Sequence, residues 1–412
     1  DLAHSPKAIV DGLLQMNYRA PSKIQAMVIP LVTKDPPQNL ICQSQTGTGK
    51  TAAYTIAMLQ RVDISLMAPQ ALCIVPTREL ARQVVVYVNT VAQFMPDITT
   101  ELCVPKSNAR GTKIAAHIVV GTPGTTQSCL RHKQLDASKL KIFVLDEADN
   151  MLESSGVAEM VIRSLKFLPN RIQTMMFSAT WAPELLTYAK TLCPNPHTIT
   201  LQRHELTMKG IKQIYMDCKD EEDKYRVLVM LYHVMTVASS IIFVKRRDTA
   251  DRIARRMEAE GHKVAVLHAG LHTVTDRDEI IDSFRHGKCK VLVTTNVLAR
   301  GIDVATTSMV INYDLPRTLI DAPDPVTYLH RIGRTGRFGR DGISISFVHD
   351  ARSWQELQEI QSYFGVSISL VPADDVNIVE NMIEKIMKSN NEMLTALSDM
   401  KKSRHAPKSN GF

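Results

Sequence analysis

Short runs of β-branched and aliphatic residues recur along the chain, each followed by a helix-like stretch. In the first half they are NLIC (39–42), ALCIV (71–75), HIVV (117–120), KIFVL (141–145), TMMF (174–177) and HTITL (197–201). After about residue 210 the rhythm restarts with IKQIYMDC (211–218), SSIIFV (239–244), KVAVL (263–267), KVLVT (290–294), MVINY (309–313) and ISISFV (343–348). Unbroken apolar strands alternating with helices predict parallel sheets covered on both faces, and two such series predict an α/β protein of two lobes. Between them QRHELTMKG (202–210) is polar, ends in Gly and has no apolar periodicity, as a linker would. NIVENMIEKIMKS (377–389) predicts a last helix, and the basic stretch 391–412 a tail that is mobile or ordered only by a partner. The expected division is a first lobe at 1–203, a short linker at 204–210, a second lobe at 211–376, and a helix with its tail at 377–412.

Composition narrows the class without naming a chemistry. A chain of 412 residues is too long for one hydrophobic core to grow comfortably, which suits two domains of roughly 200 residues each. With 44% hydrophobic and 22% charged residues and a mean hydropathy of -0.08, it is neither disordered nor fibrous. Its apolar runs are strand length, far short of the roughly 20 residues of a membrane span, so no membrane insertion is expected. Seven cysteines (42, 73, 103, 129, 193, 218 and 289) form no CxxC pair, which reads as reduced thiols of cytosol or nucleus and no zinc site. The net charge is +7, and residues 1–203 hold 20 basic against 14 acidic side chains, so the excess sits in the first half. That balance permits nucleic-acid binding without requiring it. The chain opens on Asp1, inside a helical pattern, and sequence upstream of it is expected.

Directly after the strand NLIC stands SQTGTGKT (44–51). Ser44 replaces the first Gly of the usual phosphate loop, and Gln45, Thr46, Gly47, Thr48, Gly49, Lys50 and Thr51 follow in register before the helical AAYTIAML. Glycines let backbone amides turn inward on phosphates, Lys50 places a compact charge on the β and γ oxygens, and Thr51 can hold Mg²⁺. Upstream, APSKIQ (20–25) taken alone is more often a helix cap than a functional site, though Gln25 offers the paired donor and acceptor that can read an adenine. DEAD (146–149) ends the strand KIFVL, where an open parallel sheet puts its chemistry. In a nucleotide hydrolase Asp146 would hold Mg²⁺ and Glu147 would polarise the attacking water. PTREL (76–80) and SAT (178–180) sit at two further strand ends. In the second lobe, VTTNVLARGIDV (293–304) offers Asp303 to a ribose hydroxyl, and HRIGRTGR (330–337) spaces three arginines by three residues. An arginine meeting transition-state charge on a γ-phosphate contributes about 10³ to 10⁵ in rate.

Taken in order, APSKIQ, SQTGTGKT, PTREL, TPG, DEAD, SAT, ARGID and HRIGRTGR resemble the DEAD-box RNA helicases over nearly all of residues 1–390. The resemblance implies two RecA-like parallel-sheet lobes that close on ATP, Mg²⁺ and single-stranded RNA. It implies Gln25 as adenine reader, Lys50 and Thr51 on the phosphates and metal, Asp146 and Glu147 as metal and water acids, and Asp303 on the ribose. Arg334 and Arg337 are the implied arginine fingers. Ser178, Thr180, Asp149 and His330 are implied to couple hydrolysis to RNA, Asp149 and His330 by bridging the lobes. The implied RNA contacts are Thr77, Arg78, Gly111, Thr122, Gly124, Arg247, Gly270 and Thr294, with Arg277 in support.

Within that family the chain is most similar to the mRNA-export helicases of the nuclear pore. The shared traits are PPQNLI (36–41), Ser44, Thr125 after TPG, and RTLIDAPDP (317–325) as an insertion before His330. Val274 and Asn296 stand where the wider family has Gln and Asp, and VPKS (104–107) lacks a glycine common there. This similarity implies a monomer with a nucleoporin and an export activator carrying inositol phosphate as partners. It places the protein in cytoplasm and nucleus, at the cytoplasmic face of the pore. Two other readings stay open: a DEAD-box helicase of translation initiation or ribosome assembly, and an ATP-gated RNA clamp. Intact Lys50, Glu147, Arg334 and Arg337 argue against an inactive protein.

Overall fold

A computed structural model describes residues 6–44, 47–105, 112–200, 210–234, 239–268, 270, 274–296, 307–318, 320–336, 341–375, 377–382, 384–385 and 388. The side chains of 234 and 274–278 are outside that description. So is the expected linker, apart from Gly210, and the tail at 391–412. The chain divides into two compact units, the described residues up to 200 forming the first and those from 210 the second.

In the first unit seven strands run in chain order: β1 (Leu40–Gln43), β2 (Ala71–Ile74), β3 (Thr100–Cys103), β4 (Ile118–Gly121), β5 (Ile142–Asp146), β6 (Gln173–Ser178) and β7 (His197–Ile199). They pair in parallel in the order β3-β4-β2-β5-β6-β1-β7. Successive side chains of β5 point to opposite faces: Ile142 and Val144 join one apolar cluster, Phe143 and Leu145 the other. Helices cover both clusters, which is why these strands read as continuous apolar runs.

The second unit repeats the plan with β8 (Ile211–Asp217), β9 (Ser239–Phe243), β10 (Val264–Leu267), β11 (Val291–Thr294), β12 (Thr307–Asn312), β13 (Gly342–Val348) and β14 (Ser369–Leu370). Their order, β10-β11-β9-β12-β13-β8-β14, is that of the first sheet with seven added to every number. All twelve expected strands are present, and two more appear. β3 (TELC) and β14 (SL) are edge strands, mostly half-buried in one case and exposed in the other, and neither carries an apolar run. No helix among the described residues is long and apolar enough to cross a membrane.

Candidate active site

The carboxyl ends of β1, β2, β5 and β6 lie along one edge of the first sheet, where an open parallel sheet binds its ligands. Ser44 follows β1, and its amide donates to the Ser178 carbonyl at the end of β6 (2.9 Å). The chain then turns through Gly47 (φ 82°) and Gly49 (φ 96°) into the helix Lys50–Arg61. A Cβ on Gly49 would stand 2.1 Å from Gln25 Nε2, so the backbone angle demands glycine there and any side chain would have to displace Gln25. The first amides of the helix and the Lys50 ammonium suit a phosphate. Lys50 is buried, and its Nζ donates to the Ser44 carbonyl (2.8 Å). The hydroxyls of Ser44 and Thr48 share a short hydrogen bond. Gln45 and Thr46 lie outside the described residues.

Gln25 serves the local cap and faces the loop at once. Its Oε1 accepts the Ser22 amide (2.9 Å), completing a capping box on the helix Lys23–Val32, while Nε2 donates to the Gly49 carbonyl (3.2 Å). Ser22 Oγ donates to the Thr48 carbonyl (2.6 Å). The residues read from sequence as either a cap or an adenine site therefore form the cap and abut the phosphate loop.

Asp146 ends β5, nearly fully buried. Its Oδ2 accepts the Tyr54 hydroxyl (3.0 Å) and its Oδ1 the Glu147 amide (2.9 Å). Burial pushes its carboxyl above the ordinary range, and the charge of Lys50 opposes the shift. Glu147 has a left-handed backbone (φ 53°), costly for a residue with a Cβ, and its Oε2 is buried with no hydrogen-bond partner among the described residues. A desolvated carboxylate, an unpartnered carboxylate oxygen and the Thr51 hydroxyl form a set of hard oxygen donors that suits Mg²⁺. No group of three or more His, Cys, Asp or Glu gathers among the described residues, so the cation would complete its shell with phosphate oxygens and water.

The SAT segment joins this edge. Thr180 Oγ1 donates to Asp149 Oδ2 (2.6 Å), Ser178 Oγ donates to the Thr180 carbonyl (2.7 Å), and Gln43 Nε2 donates to the Ala179 carbonyl (3.3 Å). Phosphate loop, acidic strand end and SAT thus share one edge, tied together by these hydrogen bonds. Of the RNA candidates, Thr77 and Thr122 are the N-cap residues of the helices Arg78–Val91 and Pro123–Arg131. Arg78 opens the first of these helices and Gly124 lies in the first turn of the second. Gly111 lies outside the described residues.

In the second unit, Arg247 opens the helix Arg247–Ala259 and is exposed, and the Gly270 amide donates to His268 Nδ1 (3.1 Å). Thr294 is buried at the end of β11, its hydroxyl turned inward to the carbonyls of Leu267 (2.7 Å) and Thr295 (3.0 Å). His330 and Arg334 are buried at the end of the helix Pro325–Ile332, where Arg334 Nε donates to the His330 carbonyl (3.0 Å). Asp303, Arg337 and the side chain of Arg277 lie outside the described residues.

Tyr54 escaped the sequence reading, and Arg331 stands in it only as the first of three spaced arginines, with no role. Tyr54 orients Asp146, and its only signal was a hydroxyl-bearing ring inside an otherwise apolar helix face. Arg331 is 1% exposed and bonds Asn296 Oδ1 (2.6 Å from Nη2), Asn312 Oδ1 (3.1 Å) and the Asp314 carbonyl (2.6 Å). Burial pulls its pKa down to about 9, while Asp314 and Asp324 oppose the shift. Asn296, standing where a charged Asp is usual, leaves Arg331 with a neutral partner.

Known proteins bear directly on this arrangement. Residues 22–187 match the family described as DEAD/DEAH box helicase, and residues 223–339 match the helicase conserved C-terminal domain. The chain is 52% identical over 390 residues to a Candida albicans protein named ATP-dependent RNA helicase DBP5, covering 94% of this chain and 72% of the other. Among solved structures it is similar to S. cerevisiae Dbp5 bound to RNA and ADP BeF3, at 49% identity and a TM-score of 0.89, covering 93% of this chain and 97% of that one. It is also similar to a single-residue variant of S. cerevisiae Dbp5 bound to Nup159, a Gle1 variant, IP6 and ADP. There the identity is 47% and the TM-score 0.70, over 93% of this chain and 100% of that one.

Proposed function

The chain belongs to the DEAD/DEAH-box helicases and is an ATP-dependent RNA helicase, and from that premise we propose that it clamps single-stranded RNA and remodels RNA-protein complexes during mRNA export at the nuclear pore. The observation that carries the catalytic part is the gathering of Lys50, Asp146, Glu147, Thr180 and Asp149 at one sheet edge by the hydrogen bonds described above. In this reading Gln25 borders the adenine, and the loop 44–51 with Lys50 cradles the β and γ phosphates. Thr51 and Asp146 hold Mg²⁺, which when bound neutralises phosphate charge. Glu147 orients the attacking water and draws on its proton as the oxygen approaches the γ-phosphorus. Asp303 meets the ribose, and Arg334 and Arg337 supply positive charge to the departing γ-phosphoryl.

RNA is contacted through Thr77, Arg78, Gly111, Thr122, Gly124, Arg247, Gly270 and Thr294, the last through its backbone because its hydroxyl is turned inward. Ser178, Thr180, Asp149 and His330 transmit occupancy between nucleotide and RNA. The division into lobes at 1–203 and 211–376, with a linker at 204–210, belongs to the same reading. The pore setting rests on the similarity to Dbp5, solved with Nup159, Gle1 and IP6. It implies a nucleoporin and an activator bearing inositol phosphate as partners, and residence in cytoplasm and nucleus. Replacing Lys50 with Ala tests the catalytic core: RNA-stimulated ATP hydrolysis should be lost while the protein stays folded, and retained turnover would dismiss the assignment.

A further inference from the structure

Cys103 and Cys129 are 26 positions apart in sequence, yet their sulfurs stand 3.5 Å apart with the Cys103 thiol donating to Cys129. Both are buried, Cys103 completely and Cys129 with 5% of its surface left. Cys103 is the last residue of the edge strand β3, and Cys129 lies in the helix Pro123–Arg131. Gly121 makes the meeting possible: a Cβ there would stand 2.4 Å from Thr126 Oγ1 and 2.9 Å from Cys103 Cβ, so its absence lets the helix seat directly on the strand end. The sulfurs of Cys42, Cys193, Cys218 and Cys289, by contrast, hydrogen-bond to oxygens.

We propose that Cys103 and Cys129 form a redox modification site, oxidised by a hydroperoxide to a disulfide that lowers RNA affinity. The hydrogen bond from Cys103 holds the Cys129 thiol below its ordinary pKa, and the same bond together with burial raises Cys103. Cys129, which keeps 5% of its surface where Cys103 keeps none, is the sulfur that a small peroxide reaches first, and it attacks as its thiolate. Its sulfur takes the terminal peroxide oxygen, the O–O bond breaks, and the alkoxide or hydroxide leaves with the proton that Cys129 gave up. The sulfur of Cys103 then attacks the resulting sulfenic acid: an S–S bond forms, the S–O bond breaks, and the hydroxyl departs as water with the Cys103 proton. Two electrons pass from the sulfur pair to the peroxide.

A disulfide is about 2.05 Å long, so the sulfurs close by roughly 1.5 Å. That movement draws the end of β3 and the helix together. The Cys103 carbonyl already accepts the Thr122 amide (3.1 Å), and Thr122 leads into the turn that holds Gly124. The effect on RNA rests on the proposed contacts of Thr122 and Gly124; the disulfide itself does not.

The test treats the reduced full chain with equimolar hydrogen peroxide and maps its cysteine peptides. Free thiols should fall from seven to five, with one cross-linked pair carrying residues 103 and 129 that dithiothreitol releases. Cys103→Ser should instead accumulate a sulfenic acid on Cys129, trapped by dimedone. The oxidised wild type should bind a single-stranded oligoribonucleotide several-fold more weakly with ATP affinity unchanged, and peroxide should not alter the RNA affinity of Cys103→Ser. No cross-link, or one between other cysteines, overturns the site, a result read on the wild type without any variant. A cross-linked protein with unchanged RNA affinity overturns the regulatory claim. Reduced protein that fails to bind RNA would count against the RNA contacts, leaving the thiol chemistry to be judged by the peptide map.

Discussion

Tyr54 acts through one hydroxyl, which holds the buried Asp146 carboxylate in a fixed orientation (3.0 Å). A hydrogen bond to a charged group is worth about 1.5–3 kcal/mol, and Tyr54→Phe keeps the ring in its tilted packing against Phe177 while removing the hydroxyl that bonds Asp146 and also meets the Thr51 side chain. Steady-state ATPase assays should show kcat lowered by about tenfold or more, with a smaller change in KM; equal effects on both would make Tyr54 a ground-state binding residue. Glu147→Gln keeps size and shape and loses only the charge that draws on the water proton. It should bind ATP and RNA as the parent does in equilibrium titrations while turnover fails, and loss of ATP binding would mark Glu147 as structural. For Arg331, lysine is no substitute, because a single ammonium cannot span Asn296, Asn312 and the Asp314 carbonyl. Arg331→Lys should cost on the order of 2–3 kcal/mol of stability in denaturant titrations, since buried acceptors lose their donors.

Among the elements, the insertion at 317–325 departs most from expectation. Two prolines and two aspartates predict a surface loop, and its tip obeys: Ile320 is 88% exposed. Its stem does not. Arg317 bridges to Pro323 across the base and pairs with buried Glu356 of the helix Ala351–Phe364, while Asp321 pairs with Arg317 (3.3 Å), Lys245 (2.9 Å) and Arg352. Deleting the whole segment would leave Glu356 buried without the Arg317 cation, so it should destabilise the second unit, whereas Ile320→Ser should leave the melting temperature unchanged.

The same helix begins with Asp350, whose carboxylate accepts the Ser353 amide (2.7 Å) and hydroxyl (2.6 Å). The Ser353 hydroxyl, then its amide, hold this carboxyl below the ordinary range, so its contribution is complete above the unfolded pKa and is lost as pH falls through the lower folded one. Asp350→Ala should cost about 1 kcal/mol at neutral pH, with the difference from the parent shrinking in acid.

For the whole molecule, the proposed RNA contacts fall on both units and the basic excess on the first. Affinity for single-stranded RNA should fall with salt at a log-log slope near about -0.7 per phosphate neutralised, and more steeply with a non-hydrolysable ATP analogue than without nucleotide. A slope indifferent to nucleotide would confine binding to one unit.

The two-sheet α/β plan was readable because strands buried on both faces are mostly apolar along their length, and that pattern is local. The nucleotide edge was readable for a related reason: phosphate binding needs glycines, a lysine and acids at strand ends, and their order along the chain is the chemistry. What pattern could not reach were β3 and β14, whose TELC and SL carry no apolar run, and the partners of individual polar atoms. The hydroxyl of Tyr54 on Asp146, the fork of Arg331 on two asparagines, and the sulfur of Cys103 against Cys129 each join residues far apart in sequence. Only packing of separate elements decides which of them meet, because a side chain's donors and acceptors constrain its partner's chemistry but not its place in the chain.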